Sequence, residues 1–304
     1  MGILRKNKFS SKGPQLSNQL QNTPRGGKWA SKFEDATASK GKGKPDDVKA
    51  KKALGQHFLN DLTIAERIAN LVDAEMEHVV EIGPGMGVMT KFLFDQFGDK
   101  LLCAEIDAES VEYLANQAWA AGLKVWKGDF LQAPAADWVV EGKRMAIVGN
   151  YPYNISTQIV FKMLECGVRV EQFSGMFQKE VAERLCAGEG NKDYGITSVL
   201  LQAYYDCKYS FTVHEGSFNP PPKVKSGVID CRLKTQLPDC DYNALKLVVK
   251  TAFSQRRKTL SNALKPLTSA RERFVLPEKW GAMRAEQIPV SDYLFLAKSW
   301  VESK

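Results

Sequence analysis

The chain lacks any apolar run near the roughly eighteen residues that a helix needs to cross a bilayer. It has only three histidines, and its six cysteines, Cys103, Cys166, Cys186, Cys207, Cys231 and Cys240, are scattered with no CxxC pair and no histidine at zinc spacing. Those absences argue against a membrane span, a zinc module and a disulfide scaffold; reduced and mostly buried thiols are the expectation, with no metal. The N-terminus shows no secretory apolar stretch, and Met1-Gly2-Ile3-Leu4-Arg5-Lys6 lacks the Ser or Thr at the sixth position that myristoylation wants. A reducing compartment is expected, and the reading is cytoplasmic. The first thirty residues contain no acid, a trait shared with mitochondrial transit peptides. No internal repeat is present, so a solenoid is not indicated.

What is present is a chain of 304 residues, 44% hydrophobic and 25% charged, with room for one large domain and a smaller one. The net charge of +7 is unevenly spread. Residues 1–52 hold thirteen Lys and Arg against four acids, a net of +9, which leaves −2 for the remainder. A basic arm on a near-neutral body suits a polyanionic partner, because lysine and arginine gain affinity by displacing counterions from phosphates. A solubilising tail would have the same composition.

Residues 1–50 are rich in Ser, Lys, Gly, Asn and Gln, and their few apolar residues follow no period, so the arm reads as disordered. From Lys51 onward strands and helices alternate. A helix is predicted near 62–74, the strand His78–Ile82, a helix near 87–97 and the strand Lys100–Ile106. A helix near 108–121 and the strands Lys124–Trp126 and Met145–Gly149 follow. Alternation of this kind predicts a parallel sheet with helices on both faces. Glu180–Cys186, Thr197–Tyr204 and Lys208–Val213 continue a mixed pattern, and Gly227–Leu233 reads as a late strand. Beyond Leu237 only helical segments are legible, near 241–264, 270–274, 277–285 and 291–302. The organisation expected is therefore a basic arm over 1–50, an α/β domain over 51–236 and a small all-helical domain over 237–304.

Chemistry enters at Glu81-Ile82-Gly83-Pro84-Gly85-Met86-Gly87, where a strand gives way to a helix. Glycines there allow a tight turn and a close approach of backbone to ligand, and the helix start offers free N–H groups. Twenty-two residues after Gly83, Glu105 ends the next strand, an offset at which an acid can accept both hydroxyls of a ribose. Asp129 follows twenty-four residues later and Asn150 twenty-one after that, in Asn150-Tyr151-Pro152-Tyr153. Each sits at or just past the carboxyl end of a strand, the edge where such sheets bind ligands. The glycines run G-x-G-x-G, not the G-x-G-x-x-G of dinucleotide-binding dehydrogenases, and adenosylmethionine fits the pattern better.

Asn150–Tyr153 points to an amine as acceptor. The lone pair of an adenine amine is delocalised into the ring, so the nitrogen must be held in line with a sulfonium methyl and drawn toward the pyramidal form. The Asn150 carboxamide oxygen and the Tyr151 carbonyl could each accept one N–H. Pro152 would stiffen the loop, and Tyr153 would stack on a base lifted out of its helix. Proximity and electrostatics supply the rate without a covalent nucleophile.

These motifs resemble the bacterial small-subunit rRNA adenine dimethyltransferase family. The likeness covers residues 51 to about 300. It is carried by Leu54-Gly55-Gln56-His57-Phe58-Leu59, Glu81–Gly87, Asn150–Tyr153 with Asn154-Ile155-Ser156, and Gln178-Lys179-Glu180-Val181. Phe218-Asn219-Pro220-Pro221-Pro222-Lys223-Val224 and Phe253-Ser254-Gln255-Arg256-Arg257-Lys258-Thr259-Leu260 complete it. The resemblance implies a Rossmann-like class I methyltransferase sheet with a helical C-terminal domain. It also implies dimethylation of two adjacent adenosines near the 3′ end of 16S rRNA, with S-adenosylmethionine as cofactor. His57, Leu59, Gly83, Glu105, Asp129 and Asn150 would line the cofactor site, Glu105 holding the ribose and Asp129 the cofactor's adenine amine. Asn150, Tyr151, Pro152 and Tyr153 would act on the target, and Phe218 is similar to a second aromatic that could sandwich the base, although a core role is open to it.

Arg256, Arg257 and Lys258, expected on one helical turn, could grip rRNA phosphates. The partner implied is 16S rRNA within a small-subunit assembly intermediate, bound by a monomer. Position 151 is Tyr where many members have Leu, position 57 is His where others have Asn, and the arm is longer than the family needs. Rival readings are a 23S rRNA adenine methyltransferase, a non-catalytic nucleic-acid-binding relative resembling mitochondrial transcription factors, and a small-molecule methyltransferase. The Phe253–Leu260 segment and triple proline disfavour the first, the intact Asn150–Tyr153 the second, and the basic arm the third.

Overall fold

A computed structural model describes residues 34–35, 48, 50–165 and 170–303. In chain order the elements are β1 (Glu34–Asp35), β2 (Phe58–Leu59), α1 (Leu62–Ala69), β3 (His78–Ile82), α2 (Thr90–Phe97), β4 (Leu101–Glu105) and α3 (Ala108–Ala115). Then come β5 (Lys124–Lys127), β6 (Met145–Asn150), α4 (Ser156–Glu165), β7 (Gln172–Gln178), α5 (Lys179–Cys186), α6 (Ile196–Gln202), β8 (Tyr205–Val213), β9 (Phe218–Asn219) and β10 (Ser226–Leu233). The remainder is helical: α7 (Tyr242–Ser254), α8 (Leu260–Ala263), α9 (Lys265–Ala270), α10 (Glu278–Gly281) and α11 (Val290–Glu302).

Eight strands form one sheet in the order β1-β5-β4-β3-β6-β7-β10-β8. β5, β4, β3, β6 and β7 run parallel, and β10 enters antiparallel between β7 and β8. The chain winds outward from β3 through β4 to β5, then crosses back to β6 on the other side of β3. A crevice opens beyond the carboxyl ends of strands at such a reversal, between β3, β4 and β6. A second, two-stranded sheet pairs Phe58 with Asn219 and Leu59 with Phe218.

The central parallel strands β3, β4 and β6 are buried and largely apolar on both faces because helices cover both. Successive side chains point to opposite sides, so Val80, Ile82, Met145 and Ile147 join one core layer while Val79, Cys103, Ala146 and Val148 join the other. The second layer is closed by α1 and α2 through Ile68, Leu93 and Phe97. The first continues through Ile159 of α4 and Leu200 of α6 into Leu245 and Val248 of α7 and Leu296 of α11. The C-terminal helices expected over 237–304 therefore share the core of the α/β part. Asp61, Asp107 and Asp241 begin α1, α3 and α7, each accepting backbone N–H groups of the first turn.

Several predicted elements are shorter than their periodicity. The helix near 62–74 ends at Ala69, that near 108–121 at Ala115, and that near 241–264 breaks at Gln255, where φ −125° and ψ 53° leave the helical region. The segment predicted near 270–274 is instead helical over Lys265–Ala270, where Pro266 sits in the first turn and needs no N–H partner. α4 and β7 had no counterpart in the sequence reading. Arg256, Arg257 and Lys258 lie in the turn after α7, not on a helical turn. The Arg256 guanidinium donates to the Lys192 carbonyl and pairs with Glu286 at 3.6 Å, so only Arg257 and Lys258 of the three are exposed.

Of the arm, β1 pairs antiparallel with the edge strand β5, Glu34 opposite Val125. The disorder expected for the rest of residues 1–50 falls almost wholly outside the described residues. Among the described residues no helix is long and apolar enough to cross a membrane. The described cysteines, Cys103, Cys186, Cys207, Cys231 and Cys240, are free.

Candidate active site

The crevice at the strand reversal is a cavity of about 250 Å³ lined by the 53–59 segment, the glycine turn, the ends of β4 and β6, and residues 128–131. Its floor is the turn after β3. Gly83 and Gly85 adopt φ of +70° and +56°, a region that an L side chain occupies only with strain. A Cβ on Gly85 would also stand 2.9 Å from the Phe58 ring, so glycine here permits both the turn and the closing of the 53–59 segment over it.

Glu105 is 4% exposed and holds the turn in place. One carboxylate oxygen accepts from the Gly85 N–H at 3.1 Å and the other from the Asp107 N–H at 2.8 Å. Burial pushes its pKa up, and the two N–H donors oppose that shift. Glu81, within β3, is wholly buried, and burial raises its carboxyl to about 7. The Cys103 thiol reaches it at 3.6 Å. Ile106, half exposed beside Glu105, gives the cavity a flat apolar wall. Asp129 lines the cavity with one oxygen taken up by the Leu131 N–H at 2.9 Å.

The N-terminal wall is pinned by ionic contacts. Lys51 Nζ meets Asp107 at 2.6 Å and Glu109 at 3.0 Å, and Gln56 Nε2 donates to Asp107 at 3.0 Å. Burial acts to raise the Asp107 carboxyl, but the bonds from Lys51 and Gln56 outweigh it and hold it below the usual range. His57 and Leu59 then pass along the cavity, and the Leu59–Phe218 pairing fixes their path.

On the opposite wall β6 ends in the Asn150–Tyr153 loop. Asn150 Nδ2 donates to the His57 carbonyl at 3.0 Å. With the amide nitrogen so committed, Oδ1 has no partner among the described residues and is available to a donor in the cavity. The Tyr151 ring is 1% exposed, stacked on Phe173 at 5.3 Å and donating its hydroxyl to the Ser174 carbonyl at 2.7 Å. Its N–H bonds the Met176 carbonyl at 3.1 Å, while no donor reaches its own carbonyl among the described residues. Tyr153 is half buried, its hydroxyl 2.6 Å from Ser226 Oγ and its ring 5.5 Å from that of His57.

Two side chains that could accept or donate at a purine, an aromatic ring, and a cradle ending in a buried carboxylate thus meet in one crevice. Residues 47–301 match the family profile described as ribosomal RNA adenine dimethylase. The chain belongs to that family. As a dimethylase it is an enzyme, and it is 50% identical over 259 residues to ribosomal RNA small subunit methyltransferase A of Cytophaga hutchinsonii, covering 83% of this chain and 97% of that one. The protein of the same name from Flavobacterium johnsoniae is 49% identical over 259 residues, covering 83% and 96%. Among solved structures, a dimethyladenosine transferase from Plasmodium falciparum aligns with a TM-score of 0.69 at 23% identity, covering 81% of this chain and 98% of that one. A 23S rRNA methyltransferase aligns at 0.58 and 23%, covering 80% and 99%. Both likenesses show the same class I methyltransferase fold.

His57, Leu59, Gly83, Glu105, Asp129 and Asn150 all line this dimethylase's cavity, as do Tyr151, Pro152 and Tyr153. Phe218 is not brought there: it is 3% exposed and packs in the core layer with Leu59 and Val228. Sequence reasoning missed Gln56, Phe58 and Ile106 as lining residues and Glu81 as a buried carboxyl facing the same space. Glu81 carried a signal, an acid inside an otherwise apolar strand. Ile106 carried none, because an apolar residue one step past a strand looks like more strand.

Proposed function

We propose that this dimethylase seats S-adenosylmethionine along the rim from Gly83 to Asp129 and methylates N6 of two adjacent adenosines near the 3′ end of 16S rRNA. The residues present suit that cofactor. Gly83 leaves backbone uncovered where the carboxylate end of the cofactor can lie, Glu105 has the acid character to accept ribose hydroxyls, and Ile106 offers a face for a purine. When bound, the cofactor supplies an electrophilic methyl on a sulfonium sulfur.

The observation that carries the reading is the committed amide of Asn150. Because Nδ2 is held by the His57 carbonyl, the oxygen presented to the cavity is fixed as an acceptor. One adenine N–H donates to Asn150 Oδ1 and the other to the Tyr151 carbonyl, which localises the lone pair toward the methyl. The methyl would come from the bound cofactor with cleavage of its S–C bond, and the acceptor nitrogen, once methylated, would be cationic. It regains neutrality by losing one proton toward these two oxygens and on to solvent. A second transfer at the same nitrogen proceeds with one N–H left and a single acceptor used. Pro152 limits the loop, and Tyr153 supports the base.

The exposed Arg257 and Lys258 would hold backbone phosphates of the rRNA, and the small-subunit assembly intermediate would be engaged by a monomer in the cytoplasm. Incubating purified protein with methyl-labelled adenosylmethionine and small subunits that lack the modification tests the reading. Label is expected on adenines of the small-subunit RNA; label confined to 23S RNA, or none, contradicts it.

A further inference from the structure

We infer that Ser226 is a positioning residue for methyl transfer, acting through the Tyr153 hydroxyl. The inference rests on the reading of Tyr153 as the ring that supports the target base. Ser226 opens β10, is fully buried, and brings Oγ to 2.6 Å from the Tyr153 hydroxyl. Its backbone is paired on both sides. It pairs with Gln178 of β7 on one side and Val213 of β8 on the other. The neighbouring Gly227 lies so near α5 that an added Cβ would stand 2.7 Å from that of Ala182.

Tyr153 by itself is poorly restrained. It follows a proline in a loop, it is only half buried, and the ring near it, that of His57, lies 5.5 Å away at a tilt of 32°. The backbone of the loop is set by the Tyr151 N–H to Met176 bond and by the turn from Pro152 to Ile155, and neither fixes the ring. The Ser226 bond does, tying the far end of the side chain to the sheet. Burial raises the phenol above its usual pKa, so the hydroxyl stays protonated and keeps this bond across the neutral range. A ring fixed at its Cβ and again at its hydroxyl has its plane chosen before the base arrives, which removes an ordering cost from the bound state.

A double-mutant cycle on the full chain, with unmodified small subunits as substrate, tests this. Ser226→Ala and Tyr153→Phe delete the two ends of one bond. Each should lower kcat/KM for the RNA by about three- to tenfold, the worth of one hydrogen bond, with adenosylmethionine affinity unchanged. The double variant should be no worse than either single. Ser226→Thr should retain most of the activity. Additive losses, or a loss in Ser226→Ala that Tyr153→Phe does not reproduce, would overturn the inference and leave Ser226 as a packing residue. Should Ser226→Ala fold poorly, the Tyr153→Phe variant alone decides: wild-type kcat/KM means that the bond does not position the ring. Tyr153→Ala separates the underlying reading, because full transfer by that variant removes Tyr153 from base support altogether.

Discussion

At the scale of single residues, the proposed methyl transfer turns on which atom of Asn150 faces the cavity. Asn150→Ala removes the acceptor and leaves the cofactor rim from Gly83 to Glu105 untouched. Methyl transfer should fall below detection while adenosylmethionine affinity stays within about tenfold, since the loss to the cofactor side is at most one hydrogen bond of roughly 0.5–1.5 kcal/mol. Isothermal titration with adenosylmethionine beside a transfer assay checks both halves, and appreciable turnover by the variant would refute the role. Glu81 makes a prediction of a different kind. Its carboxyl moves from an ordinary value of 4.5 to about 7 in the folded chain, so the fold favours the protonated form. The stabilisation is complete below pH 4.5, falls as pH rises, and is gone above about 7, with an upper size of about 3 kcal/mol. Glu81→Gln lacks the ionisation, so its thermal midpoint without cofactor should gain on wild type between those pH values. Parallel midpoint curves would show that burial does not shift Glu81.

At the scale of elements, the 51–59 segment acts as a clasp. Lys51 and Gln56 grip Asp107, and Asn150 grips the His57 carbonyl. Asp107→Asn keeps a good capping residue before α3, where the side chain accepts the Glu109 N–H, but removes the charge that Lys51 seeks. Adenosylmethionine should bind about three- to tenfold more weakly with little change in melting temperature; unchanged affinity would detach the clasp from cofactor binding. Much of this architecture was legible. β3, β4 and β6 are apolar runs bounded by turns, and the polar residues near the strand ends recur at one strand–helix interval, so Gly83, Glu105, Asp129 and Asn150 were found together. β7 was missed because Gln172, Ser174 and Gly175 interrupt its apolar run. Gln172 is buried with its amide shared among the Leu71 carbonyl, Ser174 and Asp230, a satisfaction that rests on Leu71 and Asp230, both distant in the chain. Gly175 is needed because a Cβ there would meet the Gly149 carbonyl at 2.3 Å and the Tyr151 ring at 2.7 Å. The same two glycines, 149 and 175, explain how Tyr fits at 151. Phe218 packs beside Leu59 and Val228, and an aromatic in a motif does not by itself reveal whether its ring meets ligand or core.

At the scale of the molecule, charge is divided from catalysis. Residues 53–304 are close to neutral, and residues 1–52 carry a net +9. Charge on a polyanion acts through counterion release and screening, so deleting the basic residues 1–50 should weaken RNA binding mainly at low salt and flatten its salt dependence. Lys51 remains in that variant, and the clasp with it, so adenosylmethionine affinity should hold. An unchanged salt slope would retire the arm as an RNA contact. The continuous core from α4 and α6 into α7 and α11 makes the helical part a fixed extension of the sheet, with Arg257 and Lys258 carried on it. The central claim is adenine dimethylation in small-subunit rRNA, and mass spectrometry of that RNA from cells lacking this gene tests it most directly. Dimethyladenosine should be missing from two adjacent positions near the 3′ end and return with the wild-type gene but not with Asn150→Ala; its persistence in the deletion strain would contradict the account.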